Sequence, residues 1–178
     1  MNKLLMLLCI PFMGYGQSFD PTPCDCVKYV VAEMRIQGLN EKEDLDRNEL
    51  GLLESLEKKY NGCEKFRDRF LDVSSTGKPL FKDEFVDCIL DDNQLSDICK
   101  CTHLLLPAFV EGMVLAFSDD VDESIKKERE SFWDRHLSFC LKKYGKIDNW
   151  SKEDLKQSDQ CQETLLEELL GYTTQETE

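Results

Sequence analysis

The chain has 178 residues, with 36 Asp and Glu against 22 Lys and Arg and a net charge of −14. That balance argues against nucleic acid and anionic membrane surfaces, which are held by lysine and arginine neutralising phosphate. A basic protein or a divalent cation is what such a surface attracts, although acidic charge also serves simply to keep a chain soluble.

Residues 1–16 read as a cleavable signal peptide. Lys3 supplies the positive charge, Leu4 to Met13 the short apolar run, and Gly14 and Gly16 the small residues before a cut that leaves Gln17 as the new amino terminus. The run is too short to span a bilayer, which takes about 20 apolar residues. A lipoprotein cut before Cys9 is the alternative, but Leu7 and Leu8 stand where small residues are needed. No second apolar run is counted, so the expectation is a secreted or periplasmic protein with no membrane span.

Of nine cysteines, Cys9 leaves with the leader. The others fall into two fours: Cys24, Cys26, Cys63 and Cys88, then Cys99, Cys101, Cys140 and Cys161. Each four opens with C-x-C, followed by gaps of 36 and 24 residues in the first and 38 and 20 in the second. The repeat is read as an internal duplication with a period of about 75 residues. An even number of cysteines in an exported chain implies a disulfide framework, and four cysteines allow three pairings. Bridging the C-x-C pair to itself makes a small strained ring. In the two remaining pairings each C-x-C cysteine bridges to a different later cysteine of its own unit. Which takes Cys63 and which takes Cys88 stays open, as does the equivalent choice in the second unit.

The first unit, 17–98, is expected to hold three helices. Thr22 caps the first, with Pro23 at its first position and Asp25 at its third, so Cys24 and Cys26 lie in its opening turn. They flank the stripe Val27, Val30, Val31 and Met34, and Gly38 ends the helix. Asn40 with Glu43 is read as the capping box of a second helix on the stripe Leu45, Leu52, Leu53, Leu56 and Tyr60, stopped by Asn61-Gly62. A loop over 74–78 follows, and Pro79 is expected to start a third helix bearing Phe81, Phe85, Cys88 and Ile89.

The second unit, 99–172, repeats the plan. Its first helix carries Leu105, Leu106, Phe109, Met113 and Ala116, with a kink or fresh start expected at Pro107. Asp120 with Glu123 is read as the cap of one long helix through Phe132, Trp133 and Cys140 to Gly145. Ser151 with Asp154 caps the last helix, which bears Leu155, Cys161, Leu165 and Leu169. Residues 173–178 are a polar tail. The fold class is therefore all-α, two tandem disulfide-stapled units of about three helices each, with no alternation long enough to demand a sheet.

Chemistry is sparsely signalled. A cysteine in the first turn of a helix can have its thiolate stabilised by the helix dipole, which makes a thiol-disulfide enzyme using the C-x-C pairs the rival to a purely structural role. Cys99, Cys101 and His103 offer zinc donors, but the spacing is too short for a zinc pair and the first unit has Tyr29 where the histidine would recur. His136 falls beside Phe132, Phe139 and Cys140 on one face, as a hydrogen-bonded residue at a core edge. The acidic clusters at 91–97 and 119–123 lack the glycine of a calcium loop and read as caps and solvated faces. No catalytic residue, metal ligand or cofactor is assigned. The sequence points to an exported, non-enzymatic helical protein that binds a protein partner or serves a structural role. An acidic inhibitor of a basic enzyme or toxin is one concrete version.

Overall fold

A computed structural model describes residues 20–37, 45–73 and 79–170. The chain folds as helix α1 (Pro23–Gln37), α2 (Arg47–Lys59), a 3₁₀ segment (Asn61–Phe66), α3 (Arg67–Phe70), strands β1 (Leu71–Val73) and β2 (Pro79–Phe81), then α4 (Asp83–Leu90) and α5 (Asp97–Ala116). Helices α6 (Glu123–His136), α7 (Ser138–Tyr144) and α8 (Lys152–Leu170) complete it, with a 3₁₀ turn at Ile147–Asn149 before the last. The fold is all-α, with four disulfides stapling its helices.

Helix starts follow local capping chemistry. Thr22 and Asp25 cap α1 reciprocally: the Asp25 amide donates to Thr22 Oγ1 at 3.3 Å and the Thr22 amide to Asp25 Oδ2 at 2.9 Å. Ser151 and Asp154 do the same for α8, at 3.1 and 3.0 Å. The expected cap of α2 at Asn40 and Glu43 lies outside the described residues, and the helix opens at Arg47 instead. Asp46 accepts from the Asn48 and Glu49 amides at 2.7 and 2.9 Å while Glu49 accepts from the Asp46 amide, so an aspartate-led box sets the start and leaves Leu45 ahead of the helix.

Three further expectations are corrected. Pro79 opens strand β2, which pairs antiparallel with β1 in the register Leu71↔Phe81 and Asp72↔Leu80, and the helix begins at Asp83. Proline has no N–H for the ladder and sits at the end of this two-stranded ribbon, where none is required. Pro107 does not restart the helix: α5 runs through it as one segment of 20 residues. The proline removes one backbone hydrogen bond, but the helix is anchored before it by Cys99 and Cys101 and after it by Glu111. The long helix expected from Asp120 begins at Glu123, capped by the Asp122 carboxylate on the Ser124 amide at 2.7 Å, and divides at Leu137 into α6 and α7. Gly145, at φ +74°, then ends α7 in a conformation that favours glycine.

Helix α5 is the centre of the packing, against α1, α4, α6, α7 and α8. By length and composition it is apolar enough to cross a membrane, with a mean hydropathy of 1.5, so the count of no second apolar run is corrected as well. Here it is a core helix bearing two bridged cysteines. The larger apolar core draws on both halves of the chain, joining Val27, Leu53 and Phe85 to Leu104, Trp133 and Leu165. A smaller cluster of Ile98, Cys101, Cys140, Trp150 and Cys161 surrounds the second pair of bridges.

Candidate functional site

The cysteines are the residues the sequence singled out, and the structure joins all eight that lie among the described residues. Cys24 bridges Cys88 and Cys26 bridges Cys63; Cys99 bridges Cys161 and Cys101 bridges Cys140. In both halves the first cysteine of C-x-C takes the last of its four and the second takes the third. Two residues of helix turn the side chains about 200° apart, which sends one sulfur to each neighbouring helix. Cys26, Cys101 and Cys140 are buried, whereas Cys24 is exposed. Among the described residues no cysteine is therefore left as a free thiol whose thiolate a helix dipole could stabilise. Four bridges are consistent with an oxidising compartment.

The histidines separate. His103 is buried, with a hydrogen bond to the Cys161 backbone and no partner at Nε2, and burial pulls its pKa down to about 4. Its neighbours Cys99 and Cys101 are bridged, and among the described residues no group of three His, Cys, Asp or Glu could hold a metal. His136 packs on Phe132, ring centres 4.5 Å apart, with Nε2 2.8 Å from Asp83 Oδ1. In the first acidic cluster Asp92 accepts from the Gln94 amide and pairs with Lys28 at 3.1 Å, and Asp97 pairs with Lys143; in the second, Asp122 caps α6.

The most polar buried site was not foreseen. Glu111 of α5 is enclosed, and each of its carboxylate oxygens accepts two hydrogen bonds. Oε1 accepts from Arg129 Nε at 2.7 Å and Trp133 Nε1 at 3.0 Å; Oε2 accepts from the Phe81 amide at 2.8 Å and Arg129 Nη2 at 3.2 Å. Arg129 also donates to the Phe81 carbonyl at 2.6 Å and lies 3.9 Å over the Phe132 ring. The cluster ties α5, α6 and β2 together. A buried charge needs such a partner set, and Glu111 is the one ionisable residue in the run Leu104 to Ala116, so the sequence did carry a signal for it. Arg129 occupies the apolar face of α6 with Ile125, Phe132 and Trp133, a weaker sign among many exposed charges.

Two clefts lie on either side of this cluster. One, of about 780 Å³, runs between β2, α4 and α6. Its arginines are already matched: Arg69 with Glu84, Arg135 with Asp83 and Arg129 with Glu111. The other, of about 480 Å³, lies between α5 and α6 and is lined mainly by apolar groups, among them Leu105, Ala108, Phe109, Trp133 and Leu137. Phe109 on its wall is 56% exposed, and Phe117, which caps α5, is 79% exposed.

No family model matches this chain, and neither a curated protein nor a solved structure matches it.

Proposed function

We propose that the chain is an exported, non-enzymatic binding module, a disulfide-stapled helical scaffold that engages a protein partner through the groove between α5 and α6. The observation that carries this reading is the groove itself, apolar and open, with Phe109 standing out of its wall. The buried Glu111–Arg129 cluster behind it suits rigid presentation, because a carboxylate with both oxygens matched to donors on α6 and β2 holds these elements in one arrangement. The matching bridge order in the two halves, with sequence separations of 64 and 37 residues against 62 and 39, supports reading them as copies of one ancestral unit.

Thiol exchange is the second reading, and one observation favours it: Cys24 is exposed in the first turn of α1. Its partner sulfurs and the closed state of both C-x-C pairs weigh on the other side.

The test uses the exported protein. The expected result is an amino terminus at Gln17, no free thiol before reduction, no turnover of a disulfide substrate, and a stoichiometric partner retained by the wild type and lost by Gly112→Trp, which fills the groove. A C-x-C pair found free and exchanging overturns the non-enzymatic reading. A partner retained equally by Gly112→Trp overturns the groove as its site.

A further inference from the structure

Resting on that reading, we infer that the α5–α6 groove receives a basic amphipathic helix of the partner, about three turns long.

The shape of the groove selects a helix. Ala108, Gly112 and Ala116 recur every fourth residue along α5, so they lie nearly in line on one face. All three line the groove, and a Cβ built on Gly112 would meet nothing within 4 Å. Small residues in line let a second backbone approach closely. Phe109 on one side and Trp133 and Leu137 on the other form walls into which apolar side chains at helical spacing can interdigitate. From Leu105 to Ala116 the axis rises about 16 Å at 1.5 Å per residue, the length of about three turns.

The charges select a basic partner. Every cation at the groove is already engaged: Arg129 by Glu111, and Lys126 by Glu123 at 3.3 Å. Glu130 and Asp134, exposed on the α6 rim, have no hydrogen bond or ion pair among the described residues. Asp119 and Asp120, exposed in the turn that joins α5 to α6, are likewise unmatched. Among the residues that line the groove, the charge left without an ion pair is thus all negative, in a chain whose net charge is −14. A second copy of this chain would bring the same sign to the same place, and an anionic bilayer would be repelled. A helix with leucines on one face and lysines flanking them satisfies both floor and rim.

The experiment titrates the oxidised protein with two synthetic 14-residue helices, one of leucine and lysine in amphipathic order and one with glutamate in place of lysine. Trp133 fluorescence and calorimetry report binding. The lysine helix is expected to bind, about tenfold more weakly in 0.5 M than in 0.05 M salt, and the glutamate helix not to bind. Glu130→Lys with Asp134→Lys should weaken binding about tenfold and flatten the salt response. The control pair Asp159→Lys and Glu163→Lys, an equal charge change on exposed positions of α8 outside the groove, should cost much less. Gly112→Trp should abolish binding with all four bridges and the helical spectrum retained; if that variant misfolds, the rim pair, on exposed positions, decides. Equal binding of both helices, or equal losses from the rim and control pairs, overturns the inference. So does self-association that Gly112→Trp removes, which would make a second copy the occupant. If the natural partner is lost by Gly112→Trp but indifferent to the rim pair, the binding reading stands and the basic helix falls. If neither variant affects that partner, both fall.

Discussion

Arg129 Nε lies 2.7 Å from Glu111 Oε1, with the arginine side chain 10% exposed and the glutamate side chain wholly enclosed. Both partners have left water, so the pair's value lies less in its own attraction than in what either charge would cost alone. Glu111→Ala strands the Arg129 guanidinium, the Phe81 amide and the Trp133 indole at once. Arg129→Met strands the carboxylate. Each single change is expected to lower the unfolding free energy by about 3–5 kcal/mol. The double change Glu111→Met with Arg129→Met should cost clearly less than the sum, since no charge is left unpaired. Urea unfolding of the oxidised proteins checks this; additive losses would mean that the two residues act independently.

His103 gives the protein a pH dependence whose sign follows from burial. Its folded pKa is about 4 against an ordinary value of 6.5, because burial disfavours the imidazolium. Between those values the unfolded chain binds the extra proton, so stability is fully present above pH 6.5 and is lost as pH falls toward 4. The loss should approach about 3 kcal/mol. His103→Leu should flatten the unfolding free energy across that window, while the wild type slopes upward with pH. A wild-type slope unchanged in the variant would place the titration elsewhere.

These two residues also show how much was legible beforehand. Helices with a strong local signal could be read: Thr22 with Asp25 and Ser151 with Asp154 set the starts of α1 and α8, because capping acts within four residues. The cysteine spacing likewise carried the bridging within each four, though not the order, since both orders place the sulfurs on opposite sides of one stripe. What failed depended on distant partners. Pro79 has the same local signature at a helix start and at a strand end, and only the pairing of Leu71 with Phe81 decides for the strand. The groove needed α5 and α6 side by side, and Ala108, Gly112 and Ala116 say nothing until Trp133 stands opposite. Glu111 was visible as a lone acid in an apolar run, but its partner, 18 residues on, looked like any other surface arginine.

Burial ranks the four bridges by the ease with which a reductant reaches them. Thiol-disulfide exchange needs in-line approach of a thiolate to a sulfur, so access sets the order before the bond's own potential does. Cys24 is exposed and its partner Cys88 half-buried, whereas Cys101 and Cys140 are 0% and 2% exposed inside the smaller apolar cluster. Under native conditions and graded reductant, Cys24–Cys88 is expected to open first and Cys101–Cys140 last, with the latter opening only as the fold gives way. Loss of the Cys101–Cys140 bridge removes a constraint worth about 4 kcal/mol in the chain-entropy model. Its two sulfurs would then lie in the core as thiols with poorer packing. Cys101→Ala with Cys140→Ala should therefore destabilise more than Cys24→Ser with Cys88→Ser, even though the second pair closes the longer loop, 64 against 39 residues. Timed alkylation with peptide mapping gives the order of opening, and thermal unfolding of the two double variants gives the ranking. Early labelling of Cys101 or Cys140 in the native protein would show that α5 and α7 separate far more readily than their packing implies.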